Sequence, residues 1–269
     1  MGKVILILSD GLGYEAAVAG MGFLGHLVET KQASLYEVQG ELPSLSRPMY
    51  ETIHTGLTSS QHGIVASNVV RRSNKPNVFE MARQTGLSTA AAAYYWFSEL
   101  YNGVPYDPVD DREVDDPSLA IQHGRFYTQD DYPDPEVFHT AAALRRKFEP
   151  DYLLAHPMGM DYIGERFGCD SREYRNHAIY QDEWLSPLLV EWMEKGYNIL
   201  VTGDHGINAD RLHGGTTAAM RRAPLFVIRP GQRGRGNTGR LISMLEIAPT
   251  LCKLLGLPVL ETMQASEVD

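Results

Sequence analysis

Along the chain, apolar runs too continuous to be half-exposed strands alternate with stretches whose apolar positions recur at helical spacing. Lys3–Ser9 (KVILILS) is the first such run, β-branched and broken by Asp10-Gly11. A run of this kind reads as a parallel strand covered on both faces. Ser88–Ala93, Asp151–Ala155 and Tyr197–Thr202 share its character, and Pro224–Ile228 is a further candidate. Between them the spacing predicts helices over Arg47–Thr55, Asn77–Gln84, Pro135–Phe148 and Ser171–Lys195, the last kinked or restarted at Pro187. A closing helix, Ser243–Leu255, stops at Gly256, a residue suited to the left-handed position after a helix end. Alternation of this kind predicts an α/β fold, a doubly wound and mostly parallel sheet flanked by helices.

Tyr94–Asp134 breaks the rhythm. It is rich in Tyr, Pro and Asp without a clean period, yet Trp96, Phe97 and Phe126 argue against disorder. An ordered cap or active-site loop is the expectation, because a structureless loop of that length is unusual inside a domain.

Composition narrows the function. With 269 residues and 43% hydrophobic content the chain suits one large α/β domain with an insertion, and Val4–Leu8 is too short for a membrane span. No membrane association and a cytoplasmic location are the expectations. Cys169 and Cys252 are the two cysteines, too few for a disulfide framework or a thiolate zinc site. The formal charge is −10, with no basic run to offset it, which argues against a nucleic-acid polymer as partner.

Some of those acids fall where a metal would want them. In an open α/β sheet, ligands gather beyond the carboxyl ends of the strands. The first strand ends at Asp10-Gly11, and the Asp151–Ala155 strand leads through His156 to Asp161 and Glu165. The strand ending at Thr202 leads to Gly203-Asp204-His205-Gly206, and His213-Gly214 follows. Each feature alone reads as a turn, a cap or a solvated helix face. Together they read as a metal centre, since carboxylate and imidazole ligands suit Zn²⁺ or Mn²⁺. Ser46, just ahead of Pro48, falls at a helix start, where backbone N–H groups favour an alkoxide or a bound phosphoryl oxygen as readily as a plain N-cap.

These residues, with Pro43-x-x-Ser46-x-Pro48, Thr55-Gly56, His62-Gly63-Ile64, Asp161-x-x-Gly164, Pro224–Val227 and Glu246–Leu251, follow an order that resembles the alkaline phosphatase superfamily. Within it, the chain is most similar to the type I phosphodiesterase/nucleotide pyrophosphatase branch. The resemblance implies a single alkaline phosphatase-like domain over 1–269; the 94–134 stretch, read above as a cap or active-site loop insertion, falls outside it and is where substrate specificity is expected. It implies two divalent metal ions, zinc first, with manganese favoured at the Glu165 site. Asp10, Ser46, Asp204 and His205 would hold one ion; Asp161, Glu165 and His213 would hold the other. Family members usually carry histidine where this chain has Glu165, which makes the pocket more anionic and oxygen-rich. The implied activity is two-metal hydrolysis of a small-molecule phosphate ester, a diester or monoester, through a phosphoseryl intermediate at Ser46. The alternatives are a sulfatase or phosphonate hydrolase of the same superfamily, or a catalytically weak metal-binding homologue. Sulfatases use C/S-x-P-x-R, and Ser46-Arg47-Pro48-Met49-Tyr50 puts tyrosine at the arginine position. The oligomeric state is not legible.

Overall fold

Val4, Leu6 and Leu8 point into one apolar cluster, and Ile5 and Ile7 into a second on the opposite side. The period of two in a strand sends successive side chains to opposite faces, so a run apolar at every position needs cover on both. A computed structural model describes residues 2–263 and 265–268. In chain order its first elements are β1 (Lys3–Leu8), α1 (Tyr14–Gly20), α2 (Gly22–Glu29), β2 (Ala33–Gln39), α3 (Ser46–Thr55), α4 (Ser59–His62), α5 (Val78–Gln84), β3 (Thr89–Tyr94), α6 (Trp96–Tyr101), β4 (Glu113–Asp115) and β5 (His123–Tyr127). Then come α7 (Asp134–Phe148), β6 (Tyr152–Ala155), α8 (Gly159–Phe167), α9 (Arg172–Glu194), β7 (Tyr197–Thr202), α10 (Ala218–Arg221), β8 (Arg222–Ile228), β9 (Gly236–Ser243) and α11 (Ile247–Leu255).

The strands form one sheet in the order β4-β5-β3-β6-β1-β7-β8-β2-β9. From β5 to β7 every pairing is parallel, while β8 runs antiparallel to both neighbours and β4 adds an antiparallel edge. Helices α3, α5, α6 and α11 supply Ile53, Phe79, Phe97 and Leu251 to one apolar cluster; α2, α7 and α9 supply Leu24, Phe138 and Trp192 to the other. The expected doubly wound, mostly parallel sheet is the observed one. Burying each large aliphatic side chain of β1 contributes about 1.5–3 kcal/mol, so this strand anchors both layers.

Local chemistry explains the element ends. Asn77 caps α5, accepting from Glu80 N at 3.1 Å, and Ser171 caps α9, accepting from Tyr174 N at 3.1 Å. Helix α9 does not restart at Pro187 but runs through it. The proline leaves the carbonyl of Glu183 without its helical donor, and the Ser186 hydroxyl donates to that carbonyl at 3.1 Å instead. The closing helix begins as a 3₁₀ turn over Met244–Glu246 and ends at Gly256 with φ 74°. Strands β2, β4, β5 and β9 were not foreseen. The 94–134 segment holds α6, β4 and β5, and β5 pairs with β3, so this segment extends the sheet. Among the described residues no helix is long and apolar enough to cross a membrane, and both cysteine thiols are free.

Candidate metal centre

Parallel strands end at the same edge, so β1, β6 and β7 deliver their following loops to one place. Backbone bonds fasten these ends together: Ser9 N donates to Thr202 O at 2.9 Å and Asp10 N to Pro157 O at 3.0 Å. Gly11 takes φ 70°, and a Cβ there would lie 2.7 Å from Asp161 Cα, so only glycine lets the end of β1 approach α8 this closely. Its N–H donates to Asp204 Oδ1 at 3.0 Å, joining the β1 and β7 ends. The loop before α3 pairs with the loop after β7 through a Ser44–Gly214 bridge, which brings Ser46 and His213 to the same edge.

The sequence-predicted residues converge. Ser46 Oγ lies 3.2 Å from His205 Nε2 and 3.5 Å from Asp10 Oδ1. His205 Nε2 is 3.4 Å from both Asp10 Oδ1 and Asp204 Oδ2, and 3.9 Å from Asp161 Oδ1. His213 Nε2 is likewise 3.9 Å from Asp161 Oδ1, and its ring stacks on His205 with centroids 4.2 Å apart and planes 4° apart. Two groups of ligand atoms therefore lie close enough to hold a cation: Asp10, Asp204 and His205, and Asp161, His205 and His213. His205 belongs to both. Glu165 stands outside them; its side chain is 53% exposed and its Oε1 meets His213 Nε2 at 3.1 Å.

The electrostatics of this cluster call for a cation. Burial, then the charge of Asp10, pushes the Asp161 carboxyl well above the usual range and that of Asp204 up to about 6. Burial also opposes ionisation of Asp10, but the imidazoles of His156 and His205 outweigh it and hold this carboxyl well below its ordinary value. For His205, burial disfavours the charged ring, yet Asp204 and then Asp10 outweigh it and raise it to about 10. Asp204 Oδ2 and Asp161 Oδ1 are buried and lack a hydrogen-bond partner among the described residues. A buried polar atom left unpaired costs about 1–3 kcal/mol, more when charged. Carboxylate oxygens in that position fit a divalent ion, and so does the mixed oxygen and imidazole donor set.

Two further residues border the cluster. Tyr50 donates to Asp10 Oδ2 from the first turns of α3, and its ring stacks on Phe97 at 4.5 Å. His156, just past β6, is buried with Nε2 3.4 Å from the same oxygen. Arg47 pairs with Glu99 of α6 at 2.7 Å. From the sequence, Arg47 beside a helix start reads more readily as a surface residue than as a phosphoryl contact; it is instead buried, and Tyr50 is placed on Asp10 only by the fold. His62 bonds Thr52 Oγ1 through Nε2 at 3.0 Å and accepts from Ile64 N at 3.1 Å, so it fastens α4 to α3.

The mostly parallel sheet flanked by helices, with a carboxylate and imidazole cluster at its carboxyl edge, has the fold of the alkaline phosphatase superfamily. Solved structures of that fold superpose closely. Murine ectonucleotide pyrophosphatase/phosphodiesterase 5 matches with a TM-score of 0.70 at 13% identity, over 96% of each chain. A phosphonate monoester hydrolase from Silicibacter pomeroyi matches with a TM-score of 0.69 at 13% identity, over 100% of this chain and 76% of that one. Within the superfamily, the chain belongs to the type I phosphodiesterase/nucleotide pyrophosphatase family, whose model matches residues 4–211. It is also similar to the human GPI ethanolamine phosphate transferase 3, catalytic subunit, at 23% identity over 96% of this chain. The chain spans only 24% of that relative's length.

Proposed function

We propose that this chain is a divalent-metal-dependent hydrolase of small phosphate esters, with Ser46 as nucleophile. The observation that carries the reading is the position of Ser46 Oγ, 3.2 Å from His205 Nε2 and 3.5 Å from Asp10 Oδ1, at the start of a helix. Asp10, Asp204 and His205 would hold one ion beside Ser46. Asp161 and His213, with Glu165 at the rim, would hold the second. Zinc suits the first group, and the extra carboxylate at Glu165 favours manganese in the second. The ions, when bound, offset charge on the phosphoryl oxygens and lower the pKa of a hydroxyl or water.

The residues of the chain then divide the work. Ser46 loses its proton, and its Oγ forms a bond to phosphorus as the bond to the leaving alcohol breaks. The alcohol departs with a proton, and water cleaves the phosphoseryl ester to restore Ser46. The first-turn N–H groups of α3, which have no helical acceptor, face a nonbridging oxygen. A second reading replaces water by an alcohol acceptor; it is favoured by the ethanolamine phosphate transferases among the relatives. A sulfatase is disfavoured, because Tyr50 stands at the arginine position of the sulfatase motif and spends its hydroxyl on Asp10.

The test is to strip the protein, reload it with Zn²⁺ or Mn²⁺, and assay p-nitrophenyl phosphate, bis-p-nitrophenyl phosphate and a phenylphosphonate ester, with and without an added acceptor alcohol such as glycerol. Metal-dependent release of p-nitrophenol with the phosphoryl group transferred to water supports the hydrolase, and its recovery as an ester of the added alcohol supports the transferase. Stoichiometric metal with no turnover on any of the three rejects both for these substrates.

A further inference from the structure

Helix α8 carries Asp161 but does not cap itself: Met158 stands at its N-cap and makes no side-chain cap bond. The free N–H groups of a first helical turn need acceptors from elsewhere. Asp134, the first residue of α7, supplies one, accepting from Gly159 N on Oδ1 at 3.0 Å. Its other oxygen accepts from His177 Nε2 and Gln181 Nε2 of α9, each at 2.7 Å. The Asp134 side chain is wholly buried, and so is Gln181. Gln181 in turn accepts on Oε1 from the Ser9 hydroxyl at 2.8 Å. A carboxylate facing three donors only accepts, so the Gln181 amide must turn its nitrogen to Asp134 and its oxygen to Ser9. One buried carboxylate thus joins the end of β1, beside Asp10, to the start of α8, just ahead of Asp161.

The junction matters because no side chain orients the ligand oxygen of Asp161. Its Oδ1, 3.9 Å from both His205 Nε2 and His213 Nε2, is buried without a hydrogen-bond partner among the described residues. Asp10, by contrast, has Tyr50 on one of its oxygens. The direction of Asp161 therefore follows from where the backbone of α8 begins. The chain leading into α8 is held at three points. His156 O accepts from the Tyr127 hydroxyl at 2.6 Å, Pro157 O accepts from Asp10 N at 3.0 Å, and Gly159 N donates to Asp134. Only the last of these is on the helix itself. The fit is close, since a Cβ on Gly159 would collide with Asp134 Oδ2 and His177 Nε2. A carboxylate at this position also faces the positive end of the helix. We propose that Asp134 is a positioning residue for the metal centre, capping α8 from a neighbouring helix and so aiming Asp161 at the second ion. The proposal deepens the two-ion reading and rests on it for the ion alone, because the cap can be observed in metal-free protein.

The experiment compares wild type with Asp134→Asn and Gln181→Met. Asparagine keeps the shape but turns an amide nitrogen on at least one of the three donors. Methionine removes one bond from Oδ2 and leaves Gly159 bonded. Stepwise Zn²⁺ titration and Co²⁺ visible spectra report the two sites. They are assigned with His213→Ala, which strips the second group alone, and Asp204→Ala, which strips the first alone. Amide exchange over residues 159–163 of the metal-free protein reports the cap. In Asp134→Asn the second site should weaken by roughly 10- to 100-fold, with a changed Co²⁺ spectrum, while the first moves far less. Residues 159–163 should exchange faster. Gln181→Met should shift the same readouts in the same direction by a smaller amount, and it provides the test should Asp134→Asn fail to fold. Equal weakening of both sites, an unmoved second site, or unchanged exchange overturns the proposal. If wild type binds a single ion, the two-ion reading fails; faster exchange in Asp134→Asn then still supports the cap, and unchanged exchange rejects it.

Discussion

The Tyr50 hydroxyl donates to Asp10 Oδ2, which leaves Asp10 Oδ1 facing Ser46 Oγ at 3.5 Å and His205 Nε2 at 3.4 Å. The two oxygens of one carboxylate therefore have different partners: Oδ2 is anchored to α3 and Oδ1 is left for the site. Burial, then the charge of Asp10, pushes the Tyr50 phenol well above its ordinary range, so it stays a donor.

Tyr50→Phe keeps the ring stack on Phe97 and removes the anchor. A hydrogen bond that orients a ligand is typically worth 10- to 100-fold in metal affinity. Competition with a chelator should show a loss of about that size, with a smaller effect on thermal stability. Unchanged metal affinity means that Asp10 keeps its orientation without the Tyr50 bond.

Ser46→Ala removes the proposed nucleophile and leaves Asp10, Asp204 and His205 in place. Bound metal should persist while kcat falls by about 10³-fold or more. Intact mass of wild type quenched during turnover should gain one phosphoryl group, absent from the variant. Loss of two hydrogens at Ser46 before any substrate is added points instead to a sulfatase.

Glu165 bonds His213 from the rim, and that bond, ahead of an opposing burial effect, lowers its carboxyl below the ordinary value. Replacing it by histidine trades an anionic oxygen donor for a neutral imidazole. The Zn-to-Mn affinity ratio of Glu165→His should rise by about tenfold or more. A ratio that does not move shows that Glu165 takes no part in holding metal.

Much of the architecture was legible because full burial leaves a sequence mark. Tyr197–Thr202 was read to the residue, and β1 to within one, since strands covered on both faces carry continuous apolar runs, here Ile199–Val201 and Val4–Leu8. Strands β9 and β4 are not such runs: Asn237, Thr238 and Arg240 in β9, and Glu113 and Asp115 in β4, carry polar side chains at sheet edges. Their pairing is set by neighbours distant in the chain. The site was legible where strand ends carry Asp or His. The sharing of His205 between both ligand groups was not, because spacing assigns residues to loops but does not measure angles between them.

A buried histidine away from the metal groups sets an acid limit. His54 Nδ1 donates to Tyr50 O at 2.8 Å, and Nε2 accepts from the Tyr152 hydroxyl at 2.9 Å, so both nitrogens are satisfied in the neutral ring. Burial lowers this imidazole from 6.5 to about 4. The folded pKa lies below the unfolded one, so between these values the unfolded chain binds the extra proton. The stability is fully present above pH 6.5 and is lost as pH falls toward 4, by on the order of 3 kcal/mol. Denaturant melts of His54→Gln should show a flatter stability profile over that window; an identical profile assigns the acid loss elsewhere.

The approach of β1 to α8 gives the sharpest structural test. Gly11 has φ 70°, and its absent Cβ would meet Asp161 N at 2.8 Å as well as Asp161 Cα at 2.7 Å. Both atoms are backbone, so no side-chain rotation can relieve the clash, and alanine must move α8 or the β1 end. Backbone conformation alone makes the left-handed position cost about 1–3 kcal/mol. The shift would carry Asp161 away from His205 and His213 while leaving Asp204 and Ser46 on their own elements. Gly11→Ala should therefore lower stability by at least that backbone cost and lose metal first from the group that includes Asp161. Stepwise metal titration would show one tight site retained and one weakened. Two sites weakened equally would mean that the whole edge moves as a unit; wild-type affinity at both would mean that the close approach does not govern the position of Asp161.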